Sequence, residues 1–225
     1  MAGRAYFQVP PALARTFDHL CIAFERSLLP GYGWIFPGPG NRYNLGCGYF
    51  DADRGPHRSL RELWERFTTA FEPAAAIVRE STRLTEFRGA PLRTGLSGAR
   101  FGRPGLLVLG EAAAMRYPAT GEGIGKAMES GLIAADLVAD ALSTGAAGDG
   151  VHERYEAAFR GRFAARYRGY AVAERWSAHA WLLNLVAWRA KAGRVARCEL
   201  EALMAEEGDP RRLFSRSGLL ASIFR

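Results

Sequence analysis

Residues 106–142 read LLVLGEAAAMRYPATGEGIGKAMESGLIAADLVADAL, and the rest of the chain is organised around them. The aliphatic run 106–109, closed by Gly110, has the pattern of a buried strand. A polar, glycine-rich loop follows, and from Ile124 to about Leu142 the spacing of apolar residues becomes helical. One face of this helix is small and apolar, which predicts close packing against a sheet: Ala127, Gly131, Ala134 and Val138.

The start of this helix is suited to an anionic or electron-rich ligand. The first N–H groups of a helix have no partner inside it, and its dipole places partial positive charge there. Gly121 and Gly123 let a ligand approach the backbone because no Cβ intervenes. Glu111 can accept hydrogen bonds from a hydroxyl-rich chain. The loop is not a phosphate-binding P-loop, since no Lys-Ser or Lys-Thr pair follows the glycines. An ordinary strand–helix unit without a ligand fits the spacing equally well.

The first 50 residues have the pattern of antiparallel β-structure, with three short strands at 20–25, 34–36 and 43–49. The first strand alternates, which predicts an apolar face made by Leu20, Ile22 and Phe24. The second region predicts a flat aromatic wall suited to an isoprenoid chain, made by Tyr32, Trp34 and Phe36. Gly46 and Gly48 leave space beside that wall. From these residue types alone, an aromatic sheet core with two glycine bulges is the preferred interpretation.

Both segments resemble the geranylgeranyl reductase family of flavoproteins, which have the p-hydroxybenzoate hydroxylase fold. The family's second FAD-binding motif is G-D-A-A-G, followed by P-x-T-G-E-G-I and A-x-x-S-G, and residues 110–114, 118–124 and 127–131 correspond to it. Residues 32–48 reproduce the family's Y-x-W-x-F-P-x8-G-x-G motif, and residues 3–6 resemble the sequence that enters the same sheet. The two motifs, found together in this order, are specific.

The resemblance implies an α+β fold with FAD as the cofactor. It implies that residues 1–104 form an antiparallel substrate-binding sheet with a helical insertion. Residues 105–145 would form the last strand and helix of a Rossmann-like FAD-binding domain, and residues 146–225 would form C-terminal helices. Glu111 would bind the ribityl chain, and the helix start would face the pyrimidine side of the flavin. The residues that the resemblance assigns to the cofactor are Gly110, Glu111, Ala112, Pro118, Gly121, Glu122, Gly123 and Ile124.

The resemblance also implies a reaction, in which reduced flavin reduces a carbon–carbon double bond of an isoprenoid lipid. The substrate residues that it implies are Tyr32, Trp34, Phe36, Pro37, Gly46 and Gly48, with the glycines leaving room for a ligand or a flavin ring. Tyr32 and Glu122 are the candidate proton donors, and no metal is expected. A geranylgeranyl group, an archaeal-type lipid and a menaquinone side chain remain open as substrates.

Three departures from the family pattern bear on this interpretation. Glu111 stands in place of the usual Asp, and Ala114 stands in place of the usual Gly. The G-x-G-x-x-G turn, with which family members begin, does not occur in the sequence. The chain therefore corresponds to the C-terminal portion of such a flavoprotein, and an apolar strand edge and helix face should be exposed. This favours an N-terminal partner chain or a homo-oligomer. The alternative function is a non-catalytic remnant, or a subunit that needs a separate FAD-binding chain.

Helices are predicted on either side of the central stretch. Ser59 and Glu62 form a capping box that begins an amphipathic helix, which Pro73 interrupts. Within 151–207 aromatic residues recur at every fourth position, at Tyr155, Phe159, Phe163 and Tyr167. Three tryptophans bracket an apolar run flanked by basic residues: Trp176, Trp181 and Trp188. A helix packed on the protein is the preferred interpretation, and an interfacial helix on a membrane is the alternative.

Composition narrows the function class only slightly. The 225 residues are 48% hydrophobic and 24% charged, as in an ordinary globular protein, and the net charge is +7. That charge suits an acidic partner, but the sequence has no nucleic-acid reader motif, so no nucleic-acid partner is expected. Its three cysteines and four histidines have no disulfide or metal-ligand spacing. Without a signal-peptide pattern, the chain is expected to be cytoplasmic, with the inner face of the membrane as an added expectation for a lipid substrate.

Overall fold

The computed structural model describes residues 1–50, 59–145, 150–205 and 208–214, and the chain divides into two compact units. The first unit consists of Met1–Pro91 with Ser177–Ala180, and the second consists of Leu92–Trp176 with Trp181–Arg225. Residues 215–225, at the end of the predicted C-terminal helical region, lie outside the described residues.

The first unit is built on an antiparallel sheet in the order β2-β3-β4-β1-β5, with β6 also paired to β1. Its strands are β1 Ala2–Gln8, β2 Cys21–Ala23, β3 Gly31–Phe36, β4 Arg42–Tyr49, β5 Thr82–Arg83 and β6 Arg88–Ala90. The pairing register places Ala5 opposite Leu45, and Leu45 opposite Ile35, so all three side chains lie on one face. That face is the core of the unit, because all three residues are at most 1% exposed.

Two helices cover this face of the sheet, and a short helix, α1 Pro11–Ala14, follows β1. The covering helices are α2 Leu60–Ala70 and α3 Glu72–Glu80. The capping box is confirmed, since the Glu62 N–H donates to Ser59 Oγ over 3.1 Å. Phe67 lies so close to β3 that a Cβ on Gly33 would be 2.2 Å from its ring. Gly33 is therefore required for the approach of α2, and the predicted break at Pro73 corresponds to the boundary between α2 and α3.

Two strand predictions need correction. The strand pattern alone omits β1, which lies in the middle of the sheet and pairs with three other strands, and only the family resemblance at residues 3–6 pointed to it. The strand predicted over 20–25 is confined to β2, and its buried side chain is Ala23, whereas Leu20 and Phe24 are 58% and 46% exposed. The pairing of Ala23 with Gly33 sets this register, because it turns Ala23 toward the covering helices.

The second unit is mainly helical, with one small hairpin of β7 Gly102–Arg103 and β8 Leu106–Leu107. Its helices are α4 Ile124–Ser143, α5 Val151–Ser177, α6 Ala180–Ala192, α7 Arg194–Met204 and α8 Pro210–Leu213, of which the last residue of α5 and the first residue of α6 are assigned to the first unit. The aromatic residues predicted to repeat along α5 are all at most 4% exposed: Tyr155, Phe159, Phe163 and Tyr167. They pack in one core cluster with Phe101, Met115 and Tyr117. The single helical stretch predicted over 151–207 is instead three helices.

The prediction of a buried strand over 106–109 is also wrong. Only Leu106 and Leu107 pair, and Leu106 and Leu109 are 48% and 39% exposed, because β8 has β7 as its one partner within the described residues. Helix α4 has the same character on its outer face, defined here by Ile124, Ala127, Met128, Gly131, Leu132, Ala135, Val138, Ala139 and Leu142. This outer face carries no charged residue, and its five large side chains are exposed, four of them by 66–79% and Val138 by 40%. The expected exposed strand edge and helix face are thus confirmed.

Candidate functional site

A buried serine fixes the junction between the motif loop, defined as residues 110–123, and α4. The Gly110 N–H donates to Ser130 Oγ over 3.2 Å, and the Ser130 hydroxyl donates to the Ala127 carbonyl over 2.8 Å. Gly110 has φ +58°, and a Cβ there would lie 3.0 Å from the Cβ of Ala127. Tyr155 adjoins this junction, where its hydroxyl donates to the Val108 carbonyl over 3.3 Å and burial raises its pKa. Small residues at 110 and 127, and a hydroxyl at 130, are therefore structural requirements of this junction.

Ala114, which stands where the family pattern has Gly, has a left-handed backbone conformation. Its φ of +54° and ψ of +34° are left-handed, a region that glycine enters without steric cost. Its side chain is fully buried, so the methyl group also contributes to packing. The chain therefore keeps the turn that glycine favours while placing alanine in it.

The rest of the motif loop is held by its own backbone. The Tyr117 N–H donates to the Glu122 carbonyl over 2.8 Å, and the Gly121 N–H donates to the Tyr117 carbonyl over 3.1 Å. Gly121 has φ +67°, so its glycine is needed for this turn. The buried residues Pro118 and Ala119 form the inner side of the loop. These backbone hydrogen bonds hold the motif loop in one conformation next to the start of α4.

Arg116 ties the two ends of the motif loop together. Its Nη2 lies 2.6 Å from Oε2 of Glu111, and its Nη1 donates to the Gly121 carbonyl over 3.3 Å. Its aliphatic stem crosses Gly123, where a Cβ would be 2.7 Å from Arg116 Cγ. Glu111 is 42% exposed at its side chain, so one carboxylate oxygen is paired while the group still reaches solvent. Sequence reasoning missed Arg116; its signal was a basic residue five positions after the acid within one short loop.

The N-terminus of α4 begins at Gly123, and no described side chain caps it. The first main-chain bond of the helix runs from the Ala127 N–H to the Gly123 carbonyl over 2.9 Å, so the preceding N–H groups belong to the helix end. Ile124 is 79% exposed beside them. This end can accept the electron-rich edge of a ligand, as predicted from the glycines.

A buried lysine adjoins this helix end and was also missed from the sequence. Lys126 is 2% exposed, forms an ion pair with Glu129, and places Nζ 4.5 Å from the ring centre of Phe163 on α5. A second ring, that of Tyr117, lies 5.4 Å from the same atom. Because an unpaired buried charge is costly, the carboxylate and the two rings compensate the ammonium group. Lys126 thereby fixes the first turn of α4 against α5 and the motif loop.

In the first unit, the face of the sheet away from α2 carries the predicted aromatic wall. The rings of Tyr32 and Trp34 are 5.9 Å apart, and those of Trp34 and Phe36 are 6.0 Å apart. Two further rings, not predicted, extend the wall at Tyr32, with centroid distances of 5.5 and 5.6 Å: Phe24 and Phe50. All three predicted aromatic residues are half-buried, and the Trp34 indole N–H donates to Asn44 over 3.1 Å.

The space expected over Gly46 is filled. Gly46 pairs with Trp34, and a Cβ on it would be 2.2 Å from the indole, so this glycine is present to seat the tryptophan ring. The prediction that Gly46 leaves room for a ligand or a flavin ring is therefore wrong in this structure. Gly48 pairs with Tyr32 and adjoins Ala2, whose Cβ would lie 3.0 Å from a Cβ at Gly48.

The predicted site residues fall into two groups. The substrate set, Tyr32 to Gly48, lies in the first unit, and the cofactor set, Gly110 to Ile124, lies in the second. The two candidate proton donors, Tyr32 and Glu122, are both half-buried, and they belong to different units. Their roles remain predictions.

Comparison with known proteins supplies the relationship. No protein-family model matches the chain. Digeranylgeranylglycerophospholipid reductase 1 of Methanococcoides burtonii is 29% identical over 133 residues, which cover 59% of this chain and 31% of that protein. Menaquinone reductase of Mycolicibacterium smegmatis is 32% identical over 157 residues, covering 67% and 34% respectively. The chain is related to the geranylgeranyl reductases.

Solved structures agree with that relationship at the level of the fold. A geranylgeranyl bacteriochlorophyll reductase-like protein from Thermoplasma acidophilum superposes with a TM-score of 0.65 at 21% identity, over 99% of this chain and 50% of that one. The halogenase PltM, in a structure with FAD, has a TM-score of 0.57 at 15% identity, over 94% and 46%. The chain thus has the α+β fold of one half of these proteins, and the matched region spans about a third of the curated geranylgeranyl reductase relatives. None of its described helices is long and apolar enough to cross a bilayer.

Proposed function

We propose that this chain is the substrate-facing and flavin-facing half of an FAD-dependent reductase that reduces carbon–carbon double bonds of an isoprenoid lipid. One observation carries the proposal: a single loop presents the exposed carboxylate of Glu111 and the uncapped N-terminus of α4. The names of the relatives, which are digeranylgeranylglycerophospholipid and menaquinone reductases, support the substrate class.

The residues of the motif loop fit FAD in their chemistry. A carboxylate accepts hydrogen bonds from hydroxyl groups such as those of a ribityl chain, and Arg116 orients that carboxylate. The N–H groups at the start of α4 donate to electron-rich atoms, and the helix dipole stabilises negative charge there. When bound, FAD supplies the hydride chemistry of the reduction. The chain's share is to bind and orient, through Gly110, Glu111, Ala112, Pro118, Gly121, Glu122, Gly123 and Ile124.

The aromatic wall would receive the alkyl chain of the substrate. Tyr32, Trp34 and Phe36 present rings that bury an isoprenoid without requiring hydrogen bonds from it, and Pro37 and Gly48 adjoin them. The indole seated on Gly46 sets the depth of this wall. Tyr32 and Glu122 are the proposed sources of the proton added to the second carbon.

A second candidate function is favoured by the outer face of α4. Its exposed, uncharged side chains have the composition of a protein interior rather than of a surface. A chain that covers it, corresponding to the half of the Thermoplasma protein that this chain does not match, would make this chain a subunit of a two-part flavoprotein. A second copy of the chain would make it a homo-oligomer, and an uncovered chain would be a non-catalytic remnant.

The test is the visible spectrum of the purified chain after incubation with FAD and removal of free flavin. Flavin that is retained, bleached by dithionite and reoxidised by a geranylgeranyl lipid supports the reductase. The Glu111→Ala variant should lose most of the flavin, and Glu65→Ala, at an exposed position of α2, should retain it.

Absence of retained flavin in the wild-type chain would overturn a stand-alone enzyme. The same experiment with the N-terminal half of the Methanococcoides reductase added then decides between the remaining candidates. Flavin recovered in a complex supports a subunit, and no recovery supports a remnant.

A further inference from the structure

Two tryptophans on α6 remain exposed although they are the largest apolar side chains of the region. Trp181 and Trp188 are 66% and 62% exposed. They are seven residues apart, so two helical turns bring them to the same side of α6. The third tryptophan of the group, Trp176, is half-buried and packs edge-on against Phe214 at 5.8 Å. The preferred interpretation from sequence, a packed helix, therefore fits Trp176 and does not account for the other two.

The charged residues that flank this tryptophan pair in the sequence have one sign. No acidic residue occurs between Glu174 and Glu199, while five basic residues do: Arg175, Arg189, Lys191, Arg194 and Arg197. Arg189 is buried and donates to the Leu213 carbonyl, so it belongs to the core. The other four are exposed, and none forms a salt bridge with a described residue. This segment therefore combines exposed indoles with exposed basic side chains that form no salt bridge with a described residue.

This combination differs from the outer face of α4 and selects a different occupant. The α4 face is aliphatic and uncharged, as expected for a protein interior. Indoles beside lysine and arginine match a membrane interface instead, because the ring lies at headgroup depth while the cations meet lipid phosphates. With 13 residues, α6 is too short to span a bilayer and long enough to lie along its surface.

We propose that a surface made by Trp181, Trp188 and Lys191 of α6, with Arg194 at the start of α7, docks this chain on an anionic lipid bilayer; it is called the α6 surface below. The indoles enter the headgroup region, and Lys191 and Arg194 contact lipid phosphates. The proposal does not depend on flavin binding, and it gives a lipid-active protein a way to remain beside its substrate.

The experiment is co-sedimentation of the full chain with vesicles of phosphatidylglycerol and phosphatidylcholine in equal parts, or of phosphatidylcholine alone, without FAD. The wild-type chain should bind the anionic vesicles at least tenfold more tightly, and 0.5 M salt should remove most of that difference. The W181A/W188A variant should lose at least tenfold in affinity. The matched control, M128A/L132A, removes two side chains of equal exposure from α4 and should bind as the wild type does.

A charge pair tests the second element of the proposal. The K191E/R194E variant should lose the preference for anionic vesicles, whereas R61E/R88E, at exposed positions of the first unit, should lose much less. Lipids brominated on the acyl chain should quench tryptophan fluorescence in the wild type and not in W181F/W188F. Circular dichroism confirms that each variant is folded. Absence of binding to anionic vesicles, or an equal loss in M128A/L132A, would overturn the proposal.

Discussion

Replacing Ser130 by Ala tests the junction on which the motif loop depends. The substitution leaves the buried Gly110 N–H without its acceptor, which costs about 1–3 kcal/mol, and removes the partly buried hydrogen bond to the Ala127 carbonyl, worth about 1 kcal/mol. The free energy of unfolding of the second unit should therefore fall by about 3 kcal/mol. For a domain of this size the midpoint of thermal unfolding should fall by roughly 6–12 °C. Calorimetry of the chain with and without the substitution measures this directly.

Ser143 provides a matched control on the same helix. Its hydroxyl donates to the Asp140 carbonyl over 2.8 Å, and the Ser130 hydroxyl likewise donates to the carbonyl three residues before it. Ser143 differs because it is exposed and accepts no hydrogen bond from a buried N–H of the described residues. The Ser143→Ala variant should change the unfolding free energy by less than about 0.5 kcal/mol. If the two variants unfold at the same temperature, the junction does not stabilise the loop, and the structural role assigned to the A-x-x-S-G residues is wrong.

Four further outcomes are expected. Arg116→Gln should change stability by under about 1 kcal/mol, since the pair is partly exposed, but should weaken FAD binding severalfold, an effect absent when Glu111 is already Gln. Phe67→Ala should cost about 3–5 kcal/mol in urea unfolding, because its ring fills the space over β3; a cost below about 1 would contradict that packing. Burial raises the pKa of the Cys47 thiol to about 12, so the unfolded chain alone loses this proton from about pH 9 upward and stability should fall toward pH 12. Iodoacetamide at pH 8.5 should label exposed Cys198 and spare Cys47 by mass spectrometry.

The features that sequence predicts well are those set by neighbouring residues. Ser59 and Glu62 lie within one turn, so the cap of α2 follows from the sequence alone. The aromatic repeat of α5 is likewise local, and its burial follows from its period. The two motifs were recognised because family pattern supplies long-range information that single residues lack.

The features that sequence misses depend on distant partners. The ring of Trp34 lies over Gly46 because the register of β3 and β4 pairs these two residues. The spacing of residues along the chain does not reveal that register. The strand at 106–109 has a buried strand's composition, yet it is short and exposed because β7 is its one described neighbour. Lys126 would be assigned to solvent by residue type, and only the rings of α5 and the motif loop explain its burial.

The outer face of α4 has a consequence for how much of this protein a cell can maintain. An exposed apolar helix face is recognised by chaperones and proteases unless something covers it, so an uncovered copy of the chain should be degraded. If the chain is the proposed subunit of a two-part flavoprotein, its steady-state level should follow the supply of the covering chain rather than its own rate of synthesis. Expression alone would yield little protein, and expression with the correct partner would yield both in equal amounts.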